Sequence, residues 1–333
     1  MRADDLFDDL PRTTSAGPEP VPSPAGRIRV EYREPEARAD NVLCVIRDAG
    51  RAGGAAPLTI DLHMQRLGGP GAEVWYANGP VRAGREGIVR YAHDHDLLFG
   101  VIEEDERAYG DIRATAETLY AAVRGFQEQC GFPHLLRMWN YLDAINEGEG
   151  DAERYRQFCI GRALGLGTPG GKRLPAATAI GRQQQTHQVQ VFWVAARSAG
   201  TAIENPRQVS AYHYPRAHGP VSPSFSRAMV APDRTVLVSG TASIVGHVSQ
   251  HTGDAHAQLT ETLRNLAAVT AHAGARRDVP RRQDLLKVYV RDPTLVPMIA
   301  GRLQEAYPGA TPIFLAGDIC RRELLLEIEC IQL

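Results

Sequence analysis

Apolar residues recurring at three- and four-residue steps mark two helices in matching surroundings. Ala255, Leu259, Leu263, Leu266 and Val269 form one stripe, and Asp254 precedes it at an N-cap position after Gly253. Ala116, Leu119, Ala122, Val123 and Phe126 form the other, behind Gly110 and Asp111. Apolar runs and alternations predict strands at Val30 and Tyr32, at 42–46, at 187–196 and at 322–333, with 50–56 as a loop. Residues 1–26 hold Pro11, Pro18, Pro20, Pro22 and Pro24 among Ser, Thr and Gly. They cannot build a core and read as a disordered tail.

The two stripes belong to a longer repeat. Residues 97–143 contain LLFGVIEEDERAYGDIRATAETLYAAVRGFQEQCGFPHLLRMWNYLD. Residues 236–274 contain VLVSGTASIVGHVSQHTGDAHAQLTETLRNLAAVTAHAG, and DLLKVYVRDPTLVPMIAGRLQEAY follows at 284–307. Both run through a short apolar strand, a loop, Gly-Asp, a helix carrying Glu-Thr-Leu, a strand opening on two leucines, and a second helix. Gly110 and Gly253 stand 143 residues apart, Leu119 and Leu263 144, and Leu135 and Leu285 150. The growth falls in 275–283, where lengthening a loop costs little. The pattern predicts a tandem duplication of a β-β-α-β-α-β-β unit, with helices on one face of a mixed sheet: an α+β fold. The expected organisation is the tail at 1–26, a first unit at 27–200 and a second at 201–333 that carries most of the site.

Composition narrows the class of partner. The 333 residues carry a formal net charge of -2, so nothing points to nucleic acid or an anionic membrane. No run approaches the ~20 apolar residues of a membrane helix. The acidic start lacks the pattern of a signal peptide. Cys44, Cys130, Cys159, Cys320 and Cys330 are odd in number, with no C-x-x-C pair, which argues against a disulfide framework or a structural metal. The cytoplasm is the expected compartment, and no cofactor is expected. Lys172 and Lys287 are the only lysines among the 37 Lys and Arg residues. Codon bias accounts for most of that surplus; some arginines can also clamp a carboxylate in a way lysine cannot.

Candidate chemistry lies in the second half. In RRELLLEIECIQL, alternation puts Glu323, Leu325, Glu327, Glu329 and Ile331 on one face. A carboxyl held between apolar neighbours there is desolvated and suits a general acid; the alternative is an edge strand of solvated glutamates. AYHYPRAHGPVSPSFSRAMV at 211–230 offers Arg216 and Arg227 as clamps and Tyr212 and Tyr214 as hydroxyl donors, unless it is an ordinary linker. VSGTASIVGH, with Gly240 and Thr241, can present backbone N–H groups to an anion. It fits neither phosphate-loop spacing. Cys320 is flanked by Arg321 and Arg322, which predicts a lowered thiol pKa, the alternative being an inert cysteine. His93-Asp94-His95-Asp96, and His247 with His251, lack a third ligand at a matching spacing, so no metal is expected.

Residues 225–333, through the strand-loop-helix motif and LLLEIECIQL, resemble the RidA/YjgF superfamily. That resemblance implies the fold above, with the first unit degenerate, and a trimer as the alternative to a monomer. The whole chain after the tail, including RMWNYLDAIN at 137–146 and RYRQFCIGRALGLG at 154–167, resembles the chorismatases, which cleave the enolpyruvyl ether of chorismate. The resemblance implies a small dicarboxylate substrate, with Glu327 as the acid that protonates the enolpyruvyl methylene. It implies Tyr212, Arg216 and Arg162 at the substrate carboxylates; Arg227, Gly240 and Thr241, read from their segments, are expected to bind substrate with them. Gly240 and Cys320 resemble the subgroup that makes 3-hydroxybenzoate; members that hydrolyse chorismate to a dihydrodiol carry Ala and Gln. An imine deaminase of the wider superfamily would need an arginine where ATPIFLAGD has Ile313 and Phe314. A duplicated unit supplies its own internal interface, so a monomer is expected, and a protein that only binds a metabolite is the remaining reading.

Overall fold

The computed structural model describes residues 27–34, 41–48, 56–167, 174–274 and 283–333. The expected tail, most of the loop at 50–56 and most of 275–283 lie outside the described residues. The chain opens with β1 (Arg29–Arg33), β2 (Val42–Arg47), β3 (Thr59–Asp61), β4 (Arg66–Gly68) and β5 (Ala72–Tyr76). A first unit follows: β6 (Arg82–Glu86), β7 (Val89–His93), β8 (Leu97–Asp105), α1 (Ile112–Gln129), β9 (His134–Asp143), α2 (Arg154–Leu166), β10 (Ala176–Arg182) and β11 (Gln188–Ala196). The second unit begins with β12 (Thr201–Ile203), β13 (Ala228–Val230), β14 (Val236–Thr241) and the small hairpin β15 (Ile244–Val245) and β16 (Val248–Ser249). It continues through α3 (Ala255–Gly274), β17 (Asp284–Val290), α4 (Val296–Ala306), β18 (Ile313–Ala316), β19 (Asp318–Ile319) and β20 (Leu326–Gln332).

The two units make two seven-stranded sheets of the same design. Their orders are β19-β10-β9-β11-β8-β7-β6 and β12-β13-β14-β20-β17-β18-β4. In each, the last strand of the unit (β11 or β20) runs antiparallel between two neighbours. A parallel pair (β9 with β10, β17 with β18) lies beyond it, joined through a helix as parallel strands require. The edge of each sheet is closed from outside its own unit, by β19 on β10 and by β4 on β18. That removes an exposed ladder and ties the units together. Strands β1, β5, β2 and β3 form a separate four-stranded sheet, which the pattern of the sequence did not foretell.

Helix starts follow from the Gly-Asp pairs. Gly110 and Gly253 turn the chain at φ +94° and +80°, a region that favours glycine. Asp111 and Asp254 then accept from the amides of Ala114 and Ala257 at 2.8 and 3.0 Å. Helices α1 and α2 cover one face of the first sheet through Leu119, Val123, Phe126 and Phe158. Helices α3 and α4 cover one face of the second through Leu259, Leu266, Ile299 and Leu303. The opposite faces meet the four-stranded sheet in a central core containing Trp75, Trp139, Phe192, Tyr289 and Ile331. Among the described residues no helix is long and apolar enough to cross a membrane.

Candidate active site

A cavity of about 190 Å³ opens between the units. Thr178 and Ala177 of β10, Tyr155 and Arg162 of α2, and Gly240 of β14 line it together with Glu327 of β20. Helix α2 lies close on α1 because Gly161 and Gly165 face it: a Cβ there would come within 2.1 Å of Arg113 O and 2.4 Å of Glu117 O. That close contact sets Arg162 at the cavity wall.

Strand β20 is central, not an edge. Its alternation sends Leu326, Ile328 and Cys330 toward α3 and α4, and Glu327, Glu329 and Ile331 into the middle of the molecule. The two glutamates are both buried and meet opposite electrostatics. Burial, reinforced by the charge of Glu329, pushes the Glu327 carboxyl up to about 8, against the pull of Arg137 and Arg227. Burial would raise Glu329 as well, but Lys287 and Arg137 outweigh it and hold that carboxyl at about 2. Glu329 accepts from Thr178 Oγ1 at 2.8 Å, Trp139 Nε1 at 3.0 Å and Tyr289 Oη at 3.1 Å, and pairs with Lys287 at 3.0 Å and with Arg137. Two carboxyls pushed apart in this way are left in opposite charge states at neutral pH, one able to give a proton and the other a fixed anion.

Gly240 is fixed by its neighbour. A Cβ at this position would lie 1.8 Å from Glu327 Oε1, so only glycine lets the acid rest against β14. The charged residues on the rest of the wall are mainly cationic. Arg156, Arg162, Arg227, Arg321 and Arg322 face Glu153 and Glu323, with Glu327 largely protonated near neutral pH. Arg162 donates to Ser224 O at 2.7 Å and lies 5.2 Å from the Tyr120 ring. Arg227 donates to Tyr214 Oη at 2.6 Å and to Val209 O at 3.0 Å, 4.9 Å from the Phe225 ring. The buried Nε of each has no protein acceptor. Donors held in this way suit a carboxylate.

Of the residues singled out from the sequence, Glu327, Cys320, Arg162, Arg227 and Gly240 line this one cavity. Three do not. Arg216 is exposed and forks onto Asp151, with Nη1 2.9 Å from Oδ1. The Tyr212 ring packs edge-on against His213 at 4.5 Å, and Tyr214 takes the cavity position instead. Thr241 turns its hydroxyl to Ser239 O at 2.9 Å, inside its own strand. The expectation for Cys320 also reverses. Burial, then the nearby Glu327, pushes the thiol well above its ordinary range and overrides Arg321. Arg321 is spent elsewhere, on His247 O and Ser249 Oγ at 3.0 Å each and on the Tyr214 ring. Arg322 reaches Asn146 O at 2.6 Å.

The histidine pairs serve the scaffold and the rim. Asp94 accepts from the amides of Asn78, Asp96 and Leu97, closing the turn before β8. His251 faces Glu261 at 3.7 Å. His247 meets His218 at 3.0 Å, and burial with Arg321 beside it brings His218 down to about 4, so this cavity residue is neutral at pH 7. Tyr155 and Thr178 carry no signal as site residues in the sequence, because no spacing brings them to Glu327.

Comparison with known proteins follows the same outline. A family model described as chorismatase FkbO/Hyg5-like, N-terminal, matches residues 73–195. A 3-hydroxybenzoate synthase from Streptomyces hygroscopicus is 36% identical over 280 residues, 78% of this chain and 81% of that protein. A chorismatase from Streptomyces rapamycinicus is 38% identical over 277 residues, again 78% and 81%. The crystal structure of a chorismatase superposes with a TM-score of 0.79 at 32% identity, over 92% of this chain and 98% of that one.

Proposed function

The chain belongs to the chorismatase family, and from that premise we propose that it removes the enolpyruvyl group of chorismate as pyruvate and releases 3-hydroxybenzoate, with Glu327 as the acid. The observation that carries this reading is a buried carboxyl that stays protonated to about pH 8 at the wall of a cationic cavity. An enol ether leaves only after its methylene carbon is protonated, so a neutral acid is what the step requires. Arg162 and Arg227, the latter with Tyr214, supply the donors for two carboxylates.

The reaction balances with no other reactant. Glu327 gives its proton to the methylene carbon, forming a C–H bond and an oxocarbenium-like group. The neighbouring ring hydroxyl oxygen attacks the ring carbon that bears the ether. The ether C–O bond breaks, its electrons form the carbonyl of pyruvate, and the hydroxyl proton returns to the Glu327 carboxylate. The arene oxide opens with the oxygen retained on the carbon that bore the ether. Loss of that carbon's proton and protonation of the oxygen give 3-hydroxybenzoate. Cys320 enters as a thiol, not a thiolate, because its burial keeps the proton on. It donates toward the oxide oxygen as the ring opens.

We read 27–200 and 201–333 as the two subdomains, the second supplying Glu327, Gly240, Arg227 and Cys320, and the first Arg162. The two units meet in an internal interface of their own, which favours a monomer. All five cysteines are free thiols, which fits a reducing cytoplasm.

Incubation with chorismate and chromatography of the aromatic products tests the reading. Pyruvate and 3-hydroxybenzoate in equal amounts are expected. Dihydrodiol as the sole ring product would overturn the branch, and absence of pyruvate would overturn the activity. Arg227→Ala is expected to raise KM tenfold or more, on the order of a lost charged hydrogen bond. Arg216→Ala should stay within about twofold, as an exposed ion pair implies. Steady-state kinetics of the two variants separates them.

A further inference from the structure

Pairing between β14 and β20 slips: Val238 stands opposite Cys330, but Thr241 stands opposite Ile328. The three-residue step on one strand against two on the other is a bulge, and it contains Ser239 and Gly240. A bulge frees backbone groups from the ladder and re-aims the strand. Here both bulge residues are held from the other unit. The Gly240 amide donates to Thr178 Oγ1 at 3.0 Å, and Ser239 Oγ accepts from the Ala177 amide at 2.9 Å.

The Thr178 hydroxyl is fully committed. It accepts from Gly240 and from Arg137, and it donates to Glu329 Oε2 at 2.8 Å. One donor and two acceptors exhaust a hydroxyl, so its orientation is fixed. Glu329 is itself held by side chains of β9, β10 and β17. This junction lies beneath the surface against which the Glu327 carboxyl rests.

We propose that Thr178 and Glu329 are positioning residues for the acid: Thr178 pins the Gly240 bulge under the Glu327 carboxyl, and Glu329 is the immobile anion that faces it. The inference rests on the reading of Glu327 as the acid. The charged and titratable groups around Glu327 fit it. Glu329 on β20 opposes ionisation, Arg137 on β9 and Arg227 before β13 favour it, and Cys320 after β19 is a neutral thiol.

Kinetics with chorismate on Thr178→Val, Thr178→Ser, Glu329→Gln and Glu327→Gln tests the proposal. Thr178→Val keeps the shape and removes all three bonds. It is expected to lower kcat at least tenfold with KM within about threefold, while Thr178→Ser recovers kcat to within about threefold. Glu329→Gln removes the anion and leaves Lys287 and Arg137 in excess. Both changes favour the charged form of Glu327, so the alkaline limb of kcat should move to lower pH by ~1 pH unit or more. Native kcat in Thr178→Val together with an unmoved limb in Glu329→Gln would overturn the positioning role while Glu327→Gln still abolishes turnover. Turnover retained in Glu327→Gln would instead remove the acid reading beneath it.

Discussion

Glu327→Gln is expected to release pyruvate from chorismate ~10²–10⁴ times more slowly than the native protein, with substrate binding retained. Glutamine matches the shape of the protonated carboxyl beside Gly240 and has no proton to give. The native enzyme should lose kcat as pH rises through about 8, where Glu327 ionises. Stability should move the other way in the variant. The Glu327 carboxyl is raised from 4.5 to about 8, so the folded state binds more protons than the unfolded chain across that window. The contribution of Glu327 to stability is therefore complete below 4.5 and declines as pH rises to about 8. Glutamine removes that decline. Glu327→Gln should be more stable than the native protein at pH 9, by an amount on the order of a few kcal/mol, and close to it at pH 4.5. Thermal unfolding at the two pH values, run beside the pyruvate assay, checks both halves. A variant that is inactive and no more stable at pH 9 would mean that the native fold does not raise the Glu327 carboxyl above its ordinary range.

The residues that were legible in the sequence obey a period. Alternation in β20 put Glu327 and Glu329 on one face of one strand, and Gly-Asp announced both long helices. What escaped has no period. Residues 211–230 run through two 3₁₀ turns, at Ala211–His213 and Arg216–His218. Neighbouring side chains diverge there: Tyr212 and Arg216 turn away from the cavity while Tyr214 and Arg227 turn in. Cys320 misled for a related reason. Its flanking arginines are adjacent in sequence, but hydrogen bonds to His247, Ser249 and Asn146 claim their guanidinium groups. Burial of the thiol then decides its charge state. The edge strands β4 and β19 are three and two residues long, too short to carry a pattern. The bulge at Gly240 is bonded to Thr178, 62 residues earlier in the chain.

Lys287→Met is expected to destabilise the protein by ~3–5 kcal/mol, the cost of breaking a buried ion pair from one side. Lys287 is 1% exposed and lies 2.6 Å from Glu73 Oε2 and 3.0 Å from Glu329 Oε1. It joins the four-stranded sheet to β20, the strand that carries Glu327. In a chain that otherwise uses arginine for all but one of its cations, this position holds lysine. A compact ammonium fits between two carboxylates where a planar fork would not. With Arg137 counted, two cations face Glu73 and Glu329, so the cluster is balanced only while Glu327 stays neutral. Removing Lys287 leaves one buried negative charge in excess. Glu329 should then take up a proton more readily. In the native fold the stability it contributes is present above 4.5 and is lost as pH falls toward about 2. In Lys287→Met that loss should be smaller and should be complete at a higher pH. Adding Glu73→Gln restores the balance, with Arg137 against Glu329, and should recover at least half of the stability. Denaturant unfolding of the single and double variants at pH 7, with acid titration of each, is the measurement. A single variant within about 1 kcal/mol of the native protein would show that the cluster does not depend on Lys287.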